Sequence, residues 1–462
     1  MSTGDTGSPV QATRGASGER GPVQVATPIG EPAFDEHRPP RLDLVEDCVH
    51  CGFCLPTCPT YLLWGEEMDS PRGRIYLMQE GLGGEPMSPS MVQHFDACLG
   101  CMACVTACPS GVQYDRLIEA TRAQVERRHR RPAVERLLRA AIFAVFPYPR
   151  RLRLLRGPLA VHQRTGLSRL VRRSGLLDRI SPTLAAMEEI APAVRGRPGL
   201  PDRVPARGAR RAVVGMLTGC VQREFFPEVN AATARVLAME GCDVVIPRRQ
   251  GCCGALSLHS GRDAEAQAFA RRLVDEFDRA AVQAVVVNAA GCGSAMKEYA
   301  DLLADDPAYA ERAAGFAGRV RDVAELLVEL GPVAPRHPLP VTVAYHDACH
   351  LQHAQRIRSQ PRELLAAIPG LRLTEVAEPE ICCGSAGVYN LLQPEAARDL
   401  GDRKTQNILA TGAELLVTAN PGCLLQVARS LRTGGGRIGL AHTVQVLDAS
   451  LRGRPAATLT GR

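Results

Sequence analysis

Two short runs hold eight of the chain's seventeen cysteines: Cys48, Cys51, Cys54 and Cys58, then Cys98, Cys101, Cys104 and Cys108, closed by Pro59 and Pro109. Both read C-x2-C-x2-C-x3-C-P. This spacing suits iron-sulfur ligation, because three thiolates on one tight turn clasp three irons of a cube and leave the fourth for a cysteine arriving from elsewhere. Where one chain carries two such runs, the fourth cysteine of each crosses to the other cube. The expected sets are Cys48, Cys51, Cys54 and Cys108 for one 4Fe-4S cluster, and Cys98, Cys101, Cys104 and Cys58 for a second. Pro59 and Pro109 are expected to halt helical continuation and turn the crossing cysteine away from its own run. A zinc ribbon fits less well, since zinc takes its ligands as two spaced pairs. A disulfide knot would need a secreted context, and the N-terminus offers none.

Eight further cysteines form a second pattern that occurs twice. The first copy has Cys220, Cys252, Cys253 and Cys292, and the second has Cys349, Cys382, Cys383 and Cys423, at offsets of about 130 residues. Around them apolar strands alternate with helices: strands at 211–216, 243–247 and 284–288 with helices at 228–240 and 263–279, then strands at 341–345, near 373 and at 414–418 with a helix at 394–409. Such alternation implies an α/β layer with a parallel sheet. The first and last cysteines of each copy follow a strand and precede a helix, which puts them at the carboxyl edge where ligands gather. Adjacent cysteines flanked by glycine, as at Cys252-Cys253 and Cys382-Cys383, can present two sulfurs to different irons of a larger cluster; the alternative is a pair of small buried thiols. Cys242 has no repeat partner and reads as a core thiol. His346 and His350 flank Cys349 as either ligands to a metal or quinone or satisfied structural histidines, and His50 could tune a cluster through its ring N–H.

The elements that must position these residues follow from composition and period. With 462 residues, 45% hydrophobic and 23% charged, the chain is a multidomain globular protein of net charge +6. Cysteine usage points to a reducing compartment, and no nucleic-acid-reading motif accompanies the arginines. Residues 1–41 read as a disordered lead-in. Residues 42–132 read as a helical two-cluster domain, with Arg72 and Arg74 either beside a cluster or on a solvated turn. Residues 133–210 form a basic amphipathic helical connector, suited either to a membrane interface or partner or to packing between domains, with 191–210 as its linker end. Residues 211–335 and 336–462 are the duplicated α/β units. The expected fold class is α+β multidomain. No run of eighteen apolar residues suggests a transmembrane helix. No flavin or nicotinamide fingerprint is present, and Gly434-Gly435-Gly436 reads as a turn.

The runs CVHCGFCLPTCPTY, MDSPRGRI and CLGCMACVTACPSGV, with LTGC, GCCGA, HDACH and ICCGSAG, resemble the iron-sulfur subunits that join two ferredoxin-type motifs to two CCG cysteine-rich domains, above all that of glycolate oxidase. The resemblance spans Asp47 to about Leu447. It implies two 4Fe-4S clusters, with a further iron-sulfur cluster in the CCG domains left open. It also implies FAD-containing 2-hydroxy-acid oxidase partner subunits, a membrane quinone or another electron acceptor, and a cytoplasmic location, either free or peripheral on the inner face of the membrane. Relatives include anaerobic glycerol-3-phosphate dehydrogenase subunits, lactate-utilisation proteins and heterodisulfide reductases. In the full CCG motif a second cysteine follows the last one, but here Ala295 and Gln426 stand in its place. That departure counts against a self-contained, heterodisulfide-reductase-like catalyst, which with a zinc-stabilised scaffold is the rival reading.

Overall fold

The computed structural model describes residues 31–461 except 195, 197 and 198, and leaves aside the side chains of 169, 173, 176 and 178. Residues 1–30 of the expected lead-in lie outside the described residues.

The first domain is helical throughout. Helices Leu42–Glu46, Pro59–Trp64, Pro71–Leu82, Pro89–Ala97, Ala103–Ala107 and Tyr114–Arg128 surround the two cysteine runs. Several start on local signals: Ser70 and Ser88 accept the N–H of Gly73 and Met91, and proline occupies the first turn of each of those two helices. Ile75, Met78, Phe95, Leu117 and Ile118 form the core. Residues 32–41 belong to this domain and not to a loose lead-in. Ala33 is buried, Phe34 lies over Gly81 where a Cβ would come within 2.7 Å of the ring, and Asp35 accepts from Arg127 at 2.9 Å. Pro59 also departs from expectation, since it opens a helix. Its effect falls one residue earlier: Cys58 and Cys108, each ahead of a proline, are both extended, with ψ of 115° and 117°.

The duplicated region builds two sheets. In the first, β1 (Arg203–Val204), β2 (Ala212–Met216), β3 (Cys242–Val245), β4 (Ala284–Val287) and β5 (Val320–Asp322) lie in the order β1-β3-β2-β4-β5. In the second, β6 (Val341–Tyr345), β7 (Leu371–Glu375), β8 (Leu415–Thr418) and β9 (Gly439–His442) lie in the order β7-β6-β8-β9. Apart from antiparallel β1, every pair is parallel, with Val214 opposite Val244 and Ala284, and Val343 opposite Leu373 and Leu415. The central strands are runs of valine and leucine because helices cover both faces. β1 arises inside the expected connector, held by Arg203 donating to Asp243 at 2.8 Å.

The two sheets are not separate bodies. One core joins Val214, Val244 and Val286 to Val343, Val417 and Ala441 through helices Pro227–Met239 and Thr443–Leu451. Across the seam Arg336 pairs with Glu240 at 2.8 Å, both nearly inaccessible. Removing one partner of such a pair costs about 3–5 kcal/mol.

The connector folds as helices Ala133–Val145, Pro149–Arg164, Leu167–Ser174, Leu176–Ile180 and Pro182–Ile190. Its inner face packs on the body through Ile142, Phe143 and Leu152, and Arg153–Glu224 and Arg429–Glu189 pairs at 3.1 and 2.9 Å pin it. Its outer face is apolar as well. Of sixteen exposed large hydrophobic residues among the described residues, nine lie between Val134 and Leu184; apart from Val134 and Leu155, which line the cavity beside the CCG cysteines, they mark a face that packing on the body leaves open. Among the described residues no helix is long and apolar enough to cross a membrane.

Candidate functional site

The two runs adopt one backbone shape. In the first, His50 and Gly52 have φ of 53° and 86°; in the second, Gly100 and Met102 have 65° and 63°. Two non-glycine residues in the left-handed region is a costly choice, and the same turn recurs at matching places in both runs. Gly100 N–H donates to Cys98 Sγ at 3.3 Å, and Tyr114 O–H to the same sulfur at 3.6 Å. Thr60 Oγ1 lies 3.3 Å from Cys58 Sγ.

The thiols sort into two groups. Cys48 lies within electrostatic reach of Cys108 and Cys51, and Cys104 within reach of Cys101, Cys98 and Cys58, while Cys54 lies near both sets, within reach of Cys48, Cys58 and Cys104. Cys58, Cys98, Cys101 and Cys104 line one small cavity together with Arg74 and Tyr114. The donor set, the matched turns and the N–H and O–H groups aimed at sulfur fit a cubane in each position. Cys51 is exposed and Cys48, Cys54 and Cys108 are half-buried, whereas the other four are buried. There is thus an outer set and an inner set.

Arg74 belongs to the inner set and Arg72 to the outer. Arg74 is 1% exposed and donates to His94 O, Thr60 Oγ1 and Asp69 Oδ1 at 2.6, 3.1 and 3.2 Å. Burial opposes its charge, but Cys98, Tyr114, Cys58 and Asp69 outweigh that and hold it protonated. Burial likewise resists ionisation of Cys98, and Arg74 with Arg122 overcomes it, so this thiol sits below the usual range. Arg72 pairs with Glu67 at 2.6 Å and donates to His50 O at 3.1 Å.

The CCG cysteines all lie at carboxyl edges. Cys220 and Cys292 follow the neighbouring strands β2 and β4, and Cys349 and Cys423 follow β6 and β8, at the point where strand order reverses in each sheet. Cys252 Sγ lies 3.6 Å from Cys220 Sγ, and Cys382 Sγ 3.9 Å from Cys349 Sγ. Gly254 and Gly384, with φ of 81° and 83°, turn the chain after each cysteine pair and abut Ala266 and Ala397 of the next helix. All eight cysteines line one cavity of about 1110 Å³, which Leu155, Leu159, His162 and Met187 of the connector help to close. Cys242 is buried in the shared core, its thiol pushed up to about 11 by burial.

The inner ferredoxin-type set abuts the second unit. Cys101 lies within electrostatic reach of Cys349 and Cys382, and Tyr389 O–H donates to Ala97 O at 3.1 Å. Of the two candidate histidines, His346 is buried beside Cys383 and Cys423, and burial pushes it down to about 3. His350 Nδ1 lies 3.5 Å from Cys349 Sγ, and its ring stands 4.9 Å from that of His259. Sequence reading passed over Glu119, His259 and Glu298. Glu119 meets His259 Nδ1 at 2.9 Å, and burial raises both carboxyls to about 8. It also passed over Lys404, buried beside Cys382 and Cys383, with Nζ bonded to Glu378 O. No local spacing marks these groups, because each is brought in from a different element.

Such a molecule is a dicluster iron-sulfur protein whose helical head sits on a duplicated cysteine-rich α/β body. Family profiles agree segment by segment: a 4Fe-4S dicluster domain matches residues 44–112, the linker region of glycolate oxidase iron-sulfur subunits matches 134–191, and a cysteine-rich domain matches 214–297 and 343–428. A probable glycolate oxidase iron-sulfur subunit of Bacillus subtilis is 38% identical over 412 residues, covering 87% of this chain and 93% of that one. The glycolate oxidase iron-sulfur subunit of Escherichia coli is 37% identical over 418 residues, covering 88% and 94%. Lactate utilization protein A of an Exiguobacterium species is 29% identical over 242 residues, 52% of this chain and 98% of that one. The chain belongs to the family of glycolate oxidase iron-sulfur subunits. It is accordingly an iron-sulfur electron-transfer subunit of an oxidoreductase.

Proposed function

We propose that this chain carries electrons from a separate FAD-containing subunit that oxidises glycolate or a related 2-hydroxy acid, and delivers them to a membrane quinone. The observation that carries the reading is the graded burial of the cysteines: exposed at Cys51, buried from Cys58 to Cys104, and continuous with Cys349 and Cys382. Iron-sulfur clusters on these thiolates supply one-electron chemistry, which splits the electron pair released by a flavin. The protein's own residues set the terms. Val49 and Phe53, 68% and 65% exposed, flank Cys51 and give the outer set an apolar rim for a partner. Arg74 and Arg122 offset thiolate charge at the inner set. The apolar cavity beside the CCG cysteines suits a quinone ring.

The connector supports peripheral attachment at the inner membrane face. Residues 133–190 hold eleven arginines, no lysine and four acids, a net +7 where the whole chain carries +6, so the rest of the molecule is close to neutral. Exposed Leu154, Val161, Leu167 and Leu170 stand among those arginines, as at a lipid interface.

Co-expression with a flavoprotein subunit tests the proposal. The complex should reduce a quinone analogue with glycolate or another 2-hydroxy acid, and the isolated chain should not. It should also sediment with anionic vesicles at low salt and release at high salt. Oxidation of the hydroxy acid by the isolated chain would sink the division of labour, and salt-independent failure to bind vesicles would sink the attachment.

A further inference from the structure

His346 lies three residues ahead of the first cysteine of the second unit, directly after β6. It is 2% exposed, and neither ring nitrogen has a hydrogen-bond partner among the described residues. A ring nitrogen and the sulfurs of Cys383 and Cys423 all lie within 4.8 Å of one another. A buried imidazole without a partner costs free energy unless something satisfies it. Here the groups it faces are sulfurs.

The repeat explains why a histidine is needed in this place. The final cysteine of the full motif is replaced by Gln426, and that side chain is committed elsewhere, donating to Ala397 O at 2.6 Å and accepting from Asn390 at 3.4 Å. It therefore does not turn toward the sulfurs. The donor lost from one strand end is restored from the neighbouring one, since β6 and β8 lie side by side. In the first unit the position matching His346 is Leu217, and the position matching Gln426 is Ala295. Neither can supply a ligand.

We infer that the second unit holds an iron-sulfur cluster on Cys349, Cys382, Cys383 and Cys423, with the imidazole of His346 as an additional ligand to iron in place of the missing cysteine. The inference rests on the reading of this chain as an iron-sulfur electron carrier. An imidazole in place of a thiolate removes negative charge from a cluster and raises its potential. The second unit's centre then lies at a higher potential than a fifth cysteine would give it, and its Cys349 and Cys382 are within electrostatic reach of Cys101 in the inner ferredoxin-type set.

The test uses the whole chain, prepared anaerobically with iron and sulfide and labelled with 15N-histidine. Pulsed EPR of the reduced protein should reveal a nitrogen coupling of the size of a directly bound imidazole, altered by the label and retained in His350→Gln. His346→Leu, which installs the first unit's residue, should lose that coupling and the iron of one cluster while the two ferredoxin-type signals persist. His346→Cys should keep the iron, lose the coupling and shift that centre to lower potential. A wild-type protein with both ferredoxin-type signals but no nitrogen-coupled centre, or with zinc at this site, overturns the inference alone. So does a coupling that survives His346→Leu. A wild-type protein with no reducible iron overturns the electron-carrier reading along with it.

Discussion

The two CCG units are alike in strand order, in sulfur count and in the glycine that turns the chain after each cysteine pair, and they differ in what faces the sulfurs. The first has Leu217 three residues before its first cysteine, and Leu273 seven residues beyond the alanine that closes on its glycine. The second presents His346 and Lys404 at the matching positions. All four side chains are buried. Apolar neighbours add no charge beside the first unit's sulfurs, where Cys252, Cys292 and His259 hold the Cys253 thiol down instead, whereas in the second unit a buried ammonium stands near the sulfurs and favours the arrival of an electron. Duplication kept the frame that collects the sulfurs and changed the residues around them.

That contrast exposes itself to experiment most strongly at the sulfurs. In a complex assayed for quinone-analogue reduction, Cys383→Ser should lower the rate by more than the roughly 10–100-fold associated with groups around a metal site, and Cys253→Ser by less than about 10-fold. Equal losses would erase the difference between the units. The glycines come next. Alanine at either pays about 1 kcal/mol for left-handed backbone, but at Gly384 the new Cβ would also lie 2.6 Å from Ala397 O, against 3.2 Å from Ala266 O at Gly254. Gly384→Ala should therefore cost about 1–3 kcal/mol more in denaturant unfolding than Gly254→Ala. Lys404→Leu, which copies the first unit, should lower the potential of the second unit's centre and slow quinone-analogue reduction by about 10-fold, the low end for groups around a metal site. An unchanged potential would mean that the buried ammonium is purely a packing group.

The smallest effect concerns the first unit's surroundings. Burial, joined by Asp115, Asp263 and Asp301 and opposed by Arg122, raises Glu119 from 4.5 to about 8, and burial with Glu119 raises Glu298 as far, against His259 and Ser294. A carboxyl that holds its proton more tightly when folded stabilises fully below its unfolded value and loses that contribution as pH climbs through the folded one. Thermal stability should thus decline between about pH 5 and 8, and the Glu119→Gln/Glu298→Gln variant should flatten the decline. The same slope in wild type and variant would contradict the assignment.

What could be read from the letters was local. Cysteine spacing, the valine-rich strands at 284–287 and 341–345 and the helix at 263–280 announce themselves within a few residues. What could not be read needed the chain to return on itself. Arg72 and Arg74 are indistinguishable on paper, yet one side chain is 27% exposed and the other 1%. His346 and Cys423 are 77 residues apart and meet only because β6 and β8 are neighbours. β1 is two residues long and invisible to periodicity, and β5 and β9 carry no strand signal of their own because each runs at once into a helix. The connector's two faces were open alternatives in sequence, and packing on one face leaves the other still apolar.

One last consequence concerns air. Cys51 is the only exposed cysteine among the seventeen. Oxygen and peroxide should reach the outer ferredoxin-type set at that corner before the buried cysteines of the inner set. Partly aged preparations should therefore keep most of their colour after losing the ability to accept charge from their donor, so absorbance is a poor gauge of a working sample.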